Sequence, residues 1–136
     1  MNKAQRAAIR VLIIDDHKDA ADLLNDVLQF YGYSTVVAYS GHDALTLFER
    51  VRPEVAILDL GMPSMTGFQL VRNLKATPVH VNTLFVALTG WDTRDVRESA
   101  LQAGFDFHFV KPADPAAISA LIEEEVFRRS VDGAPS

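Results

Sequence analysis

The chain has no cysteine, which excludes disulfides, thiol catalysis and zinc–thiolate sites together. Basic clusters are missing too. Nothing exceeds the Arg128-Arg129 pair and the net charge is −5, so direct nucleic-acid binding is not expected. No apolar run is long enough to cross a membrane, and residues 1–10 lack the apolar core of a signal peptide. A soluble, cytoplasmic protein is the expectation. What is present is globular in composition, 49% hydrophobic and 23% charged over 136 residues, the size of one domain with a real core.

The most informative stretch is Val55-Ala56-Ile57-Leu58-Asp59-Leu60-Gly61-Met62-Pro63. Four apolar residues run straight into a carboxylate, and the run breaks at Gly61 and Pro63. Such a pattern predicts a strand buried on both faces. Asp59 then sits at or near its carboxyl end, where open α/β sheets keep their crevices. A charge there costs free energy unless it is solvated or paired.

The rest of the chain alternates strand and helix. Residues 11–14 are a short apolar run ending in Asp15-Asp16. From 17 to 31 the spacing is helical, with Ala20, Leu23, Leu24, Val27, Leu28 and Tyr31 on one stripe, and Gly32 stops the helix. A strand over 34–39 leads to Ser40, an N-cap for a helix over 41–51. After the 61–67 loop, Phe68, Leu70, Val71 and Leu74 mark a helix ending near Pro78. A strand over 83–88 ends in Thr89-Gly90-Trp91. Asp92 with Asp95 resembles a capping arrangement for a helix over 93–103. Its weak stripe of Val96, Ala100 and Ala103 predicts the loosest docking. A strand over 107–110 meets Lys111-Pro112, and Asp114 with Pro115 opens the last helix, whose stripe is Ile118, Leu121, Ile122 and Val126.

This (βα)5 alternation predicts a flavodoxin-like, doubly wound α/β domain, a parallel five-stranded sheet in the order 2-1-3-4-5. The domain is expected over 9–128, with short flexible tails at 1–8 and 129–136. No output domain is expected after Arg129. In that order Asp15, Asp16 and Asp59 flank one crevice. At ~4 Å and an effective dielectric of ~20, each carboxylate pair would repel by roughly 4 kcal/mol. Either their pKa values rise or a cation sits among them. Clustered oxygen ligands suit a hard ion such as Mg2+. The plain alternative is two solvated aspartates at a helix start and an unrelated loop aspartate.

Two further strand ends weigh against that alternative. Thr89 brings a hydroxyl and Lys111 an ammonium to the same edge, although singly they could be a helix cap and a surface lysine. Jointly the set can form an aspartyl phosphate: Asp59 attacks while a metal and Lys111 neutralise the transferring oxygens. A Mg2+-dependent phosphohydrolase uses similar parts but usually wants a second acid close after the nucleophile, where Leu60 and Gly61 stand. A phosphorylation-independent interaction module is disfavoured by the complete acidic set. A flavin site is disfavoured by the lack of a Ser/Thr/Gly-rich loop after the first strand.

Over about residues 9–128 the chain resembles the receiver domain of two-component response regulators. The matching residues are Asp15-Asp16, Asp59 in DLGMPSMTG, Thr89 in ALTG, and Lys111-Pro112. The resemblance implies a signalling switch rather than a turnover enzyme. It implies that Asp59 accepts phosphate from a histidine kinase or histidine phosphotransfer protein, and that Asp15, Asp16, Asp59 and the Gly61 carbonyl hold Mg2+. It also implies that Thr89 moves to the phosphoryl group and that the Lys111–Pro112 bond is cis. Output, or a homodimer contact, would use the face made by the helix over 93–103, the strand over 107–110 and the last helix.

This family often has Tyr or Phe three residues before the lysine, and here His108 stands there. Strand alternation puts Phe107 and Phe109 on one face and His108 on the other. A histidine can rotate as the usual aromatic does, and it also titrates near neutral pH. The alternative is a fixed edge-strand histidine. Gly61 and Trp91 stand two residues after Asp59 and Thr89, where in this family side chains flank the phosphoryl group. Gly61 leaves space, and Trp91 either covers the site or lies on the surface. Gly90 fits close approach by a phosphodonor and equally fits a turn. Phe127 falls on the outer face of the last helix, as a cap on a frayed end or as part of a partner surface. A stand-alone regulator, a relay intermediate and a receiver cut from a hybrid kinase are all compatible with these residues.

Overall fold

The computed structural model describes residues 1–62, 64–79 and 82–132. Pro63, part of the 77–82 loop and the end of the expected 129–136 tail lie outside the described residues. After a short helix α1 (Lys3–Arg6), strands and helices alternate: β1 (Arg10–Ile14), α2 (Lys18–Tyr31), β2 (Ser34–Ala38), α3 (Gly41–Val51), β3 (Val55–Asp59), α4 (Gly67–Lys75), β4 (Leu84–Thr89), α5 (Arg94–Ala103), β5 (Phe107–Val110) and α6 (Pro115–Asp132). The five strands form one parallel sheet in the order β2-β1-β3-β4-β5, the flavodoxin-like arrangement.

Each face of the sheet is buried by its own helices. Leu12, Ile14, Ala56, Leu58, Phe85 and Ala87 point to α3, α4 and α5, where Phe48 stacks on Phe85 with ring centroids 6.1 Å apart. Val11, Ile13, Val55, Ile57, Leu84 and Val86 point to α2 and α6, against Ala21, Leu28, Ile118 and Ile122. The central strands therefore read as unbroken apolar runs. Burial of each large aliphatic side chain contributes roughly 1.5–3 kcal/mol. Summed over β3 and its neighbours, that outweighs the repulsion of holding a carboxylate at the strand's end.

Several boundaries differ from the sequence reading. The stripe of α2 is rotated: Ala21 and Leu28 are buried, while Ala20 and Leu23 are exposed. The reason is a groove of about 400 Å³ between α2 and α6, lined by Leu23, Leu24, Val27 and Pro112, so these apolar residues line an open cleft. α4 ends at Lys75, short of Pro78. α5 is capped by the Thr93 hydroxyl, which accepts the Val96 N–H, and not by Asp92. Thr93 stands three residues before the N–H it serves, the offset a cap needs. The helix buries only Ala100 and Ala103.

The expected tails are structured where described. Asn2 and Gln5 form a capping box on α1. Arg6 then binds Glu123 of α6, Nη2 to Oε1 at 2.6 Å, and the Tyr31 carbonyl of α2 at 3.0 Å. At the other end α6 continues through Asp132.

Candidate functional site

The acidic site is assembled by strand ends. Asp15 follows β1 and is 3% exposed, and Asp59 closes β3 and is 8% exposed, whereas Asp16 is open to solvent. One carboxylate oxygen from each lies within 4.8 Å of the others. The backbone fixes two of the three. Asp15 donates its N–H to the Ala38 carbonyl at 3.1 Å and accepts the His17 N–H on Oδ1 at 2.9 Å. Asp59 Oδ1 accepts the Gly61 N–H at 3.1 Å. His17 is occupied as the N-cap of α2, its Nδ1 accepting the Ala20 N–H.

Burial pushes the Asp15 carboxyl above the usual carboxylate range. The His17 N–H and Lys111 pull it down, and Asp59 pushes it further up. The net upward direction says that the two favourable contacts do not offset desolvation and a like charge. Lys111 is the local cation. Its Nζ lies 3.2 Å from Asp59 Oδ1 and 3.6 Å from Asp15 Oδ2. Its backbone N–H is held by the Thr89 carbonyl at 2.7 Å, and the bond to Pro112 is cis. One ammonium among three carboxylates leaves a local negative excess. A compact all-oxygen donor set with excess negative charge fits a hard divalent ion such as Mg2+.

Thr89 is buried at the end of β4 but does not point its hydroxyl at an acid. Its Oγ1 donates to the Trp91 carbonyl at 3.2 Å and accepts the Trp91 N–H at 3.1 Å. The loop after β4 is thus clasped by the threonine's own side chain. The Trp91 indole is 68% exposed, on the surface rather than over the site. Gly61 and Gly90 are exposed, and a side chain at Gly90 would meet nothing within 4 Å. His108 is half-buried on β5, with Nε2 3.9 Å from Asp92 Oδ1, too far for a hydrogen bond and close enough for an ion pair.

Two residues of this region escaped the sequence reading. Gly67 opens α4 against the end of β3, and a Cβ there would lie 2.7 Å from the Asp59 carbonyl oxygen. Only glycine permits that approach. A Gly at a helix start eight residues after Asp59 was its only trace in the sequence. Asp92 was assigned to the cap of α5, and its oxygen instead meets Arg97 at 3.5 Å as well as His108.

Comparison with known proteins bears on the family and the fold. The family model described as the response regulator receiver domain matches residues 11–123. An uncharacterized 14.6 kDa protein of Leptolyngbya boryana is 33% identical over 118 residues, 87% of this chain and 90% of that one. The transcriptional regulatory protein TrcR of Mycobacterium tuberculosis is 32% identical over 82% of this chain, but over only 43% of its own length. Among solved structures, the signal receiver domain of a DNA-binding response regulator from Colwellia psychrerythraea is 33% identical. It has a TM-score of 0.79 and covers 87% of this chain and 98% of that one. The chain spans about half the length of curated relatives such as TrcR and the mycobacterial regulators MprA and MtrA. With the matched family covering most of the chain, this protein belongs to the response regulator receiver domains of two-component signalling.

Proposed function

We propose that the chain is the phosphoacceptor of a two-component or phosphorelay pathway. Asp59 takes a phosphoryl group from the phosphohistidine of a partner histidine kinase or histidine phosphotransfer protein. The observation that carries this reading is the joint approach of Lys111 and two further carboxylates to Asp59. In the transfer an Asp59 oxygen attacks phosphorus, the P–N bond breaks, and imidazole leaves with the bonding pair. Lys111 places its positive charge beside the accepting oxygen. Asp15, Asp16, Asp59 and the Gly61 carbonyl would hold Mg2+, which supplies neutralising charge to the phosphoryl oxygens when bound.

The exposed Gly61 and Gly90 leave the approach to Asp59 open. Thr89 then exchanges its two bonds to Trp91 for one to the phosphoryl group, and the loop it releases carries the change to the face of α5, β5 and α6. That face is also the candidate for a homodimer contact. Phosphate has to favour the switched state by a few kcal/mol for the signal to register. A cytoplasmic location goes with the kinase partner.

Incubation with acetyl phosphate and Mg2+, followed by intact-mass spectrometry, tests the reading. One phosphoryl adduct is expected on the wild-type chain and none on Asp59→Asn. Absence of an adduct on the wild type would overturn it, and steady turnover of phosphomonoesters would identify a phosphohydrolase instead.

A further inference from the structure

We propose that Asp92 is a positioning residue for the switch at Thr89: it holds the loop between β4 and α5 in its resting place through His108 and Arg97, and its grip tightens when His108 takes up a proton. The inference rests on the phosphoacceptor reading and extends it to the control of the resting state.

The loop is short, and both of its ends are accounted for. Thr89 Oγ1 clasps the backbone of Trp91 on both sides, and Thr93 caps α5. Asp92 lies between them. A single oxygen, Oδ1, faces two elements, with Arg97 Nε of α5 at 3.5 Å and His108 Nε2 of β5 at 3.9 Å. For the Thr89 hydroxyl to reach a phosphoryl group on Asp59, both bonds to Trp91 have to open. The next residue is then drawn along, and Asp92 has to leave one or both partners. The carboxylate therefore acts on the resting state and opposes the switched one.

The two partners contribute differently. Arg97 is charged at every accessible pH, so its share of the grip is constant. A neutral imidazole at 3.9 Å offers Asp92 little, whereas an imidazolium forms an ion pair. Charged groups on the neighbouring elements have partners of their own. On β5's approach, Asp106 accepts the Phe85 N–H and pairs with Arg129. Beyond the strand, Lys111 is turned to Asp15 and Asp59. On α5, Arg94 pairs with Glu98. On β4, the residue in register with His108 is Ala87, which is buried and apolar. Arg97 shares the Asp92 carboxylate oxygen with His108, so Asp92 stands against both. A proton gained on His108 thus favours the state in which the loop is held, and by linkage it weakens binding of anything that needs the loop released.

The test is the affinity of beryllofluoride with Mg2+, a phosphoryl mimic, for the full chain at pH 6 and pH 8. Wild type, Asp92→Asn, His108→Gln and the double variant Asp92→Asn/His108→Gln are compared by calorimetry. The ratio of Asp92→Asn to wild-type affinity at each pH cancels every pH effect the two proteins share, including those of fluoride and of the acidic site. Asp92→Asn is expected to bind about two- to fivefold more tightly than wild type at pH 6, the size of a partly exposed ion pair. At pH 8 that ratio is expected to shrink to the share held by Arg97. In the His108→Gln background the ratio is expected to be the same at both pH values. A wild-type background in which the ratio does not change between pH 6 and pH 8, or in which Asp92→Asn binds more weakly, overturns the proposal while leaving the phosphoacceptor reading intact. Failure of wild type to bind beryllofluoride at either pH overturns that reading, and this proposal with it.

Discussion

At the amino-terminal edge of the sheet Arg10 meets Glu54 through three nitrogen–oxygen contacts of 2.9 to 3.1 Å. Arg6 meets Glu123 and the Tyr31 carbonyl, and Arg129 meets Asp106 and both oxygens of Asn82. At the carboxyl edge Asp15, Asp16 and Asp59 gather around the single ammonium of Lys111, and Thr89 spends its hydroxyl on its own loop. One edge matches its charges and ties α1, α2 and α6 together. The other leaves negative charge in excess, which costs stability and suits the cation and phosphoryl group proposed to bind there. The same sheet geometry produces both, so the difference lies in which side chains the strand ends carry. Three measurements can break or sharpen that contrast.

The largest expected effect is steric and lies beside the acidic edge. Gly67→Ala would place a Cβ 2.7 Å from the Asp59 carbonyl oxygen and 2.9 Å from the Leu60 Cα, both backbone atoms that cannot swing aside. Overpacking of this kind costs about 1–3 kcal/mol, read as a lower urea midpoint. An unchanged midpoint would mean that α4 can slide from the end of β3, and that the acidic edge is softer than its packing implies.

The second measurement asks whether the two edges respond with opposite sign. Glu123→Gln removes a charge-assisted bond whose side chains are only 23% and 28% exposed, so a loss of about 1 kcal/mol is expected. Asp15→Asn in the presence of EDTA is expected to stabilise the chain at pH 7.5 by roughly 1 kcal/mol, the usual size of a single-residue effect. The sign follows from the raised Asp15 pKa, caused first by burial. The folded chain holds that proton more tightly than the unfolded chain does. The stability it confers is complete below the unfolded carboxylate value and is lost as pH rises through the folded one. Asparagine escapes that loss, so its advantage should fade as the pH is lowered toward about 4. With Mg2+ present the advantage should reverse, because the ion needs the carboxylate. Destabilisation by Asp15→Asn in EDTA at pH 7.5 would show that the His17 N–H and Lys111 outweigh the cost of burial.

The strand ends were legible because the residues that place them are local. Apolar runs such as Val55 to Leu58 stop at a carboxylate, and Gly32 and Ser40 mark a helix end and a helix start by chemistry visible in a few neighbours. Parallel order then brings Asp15, Asp16, Asp59, Thr89 and Lys111 to one edge without further information. What failed to show has long-range causes. Residues 1–8 have no apolar period, and their anchor is Glu123, 117 residues away from Arg6. Leu23 belongs to an apolar stripe by spacing, yet it lines an open groove because α6 does not close over it. Asp92 and Thr93 are adjacent and both are good caps, and only the hydrogen bond to Val96 separates them. The direction of the Thr89 hydroxyl is a matter of rotamer, which no sequence pattern encodes.

That rotamer is the basis of the smallest expected effect. The chain has one tryptophan, so its emission reports a single place, the loop that Thr89 clasps. The indole is already 68% exposed, and a release of its backbone should change the emission only modestly. Beryllofluoride with Mg2+ is expected to produce this change in wild type. Thr89→Val lacks the hydroxyl that the proposed switch would turn to the mimic, so it should bind without the change, and Asp59→Asn should give a weakened response. A response in Thr89→Val as large as in wild type would mean that the loop senses the ligand by another route. Silence in a wild type shown by calorimetry to bind would mean that Trp91 stays in place while Thr89 turns. The carboxyl edge would then be as rigid as the amino-terminal one, differing from it in charge alone.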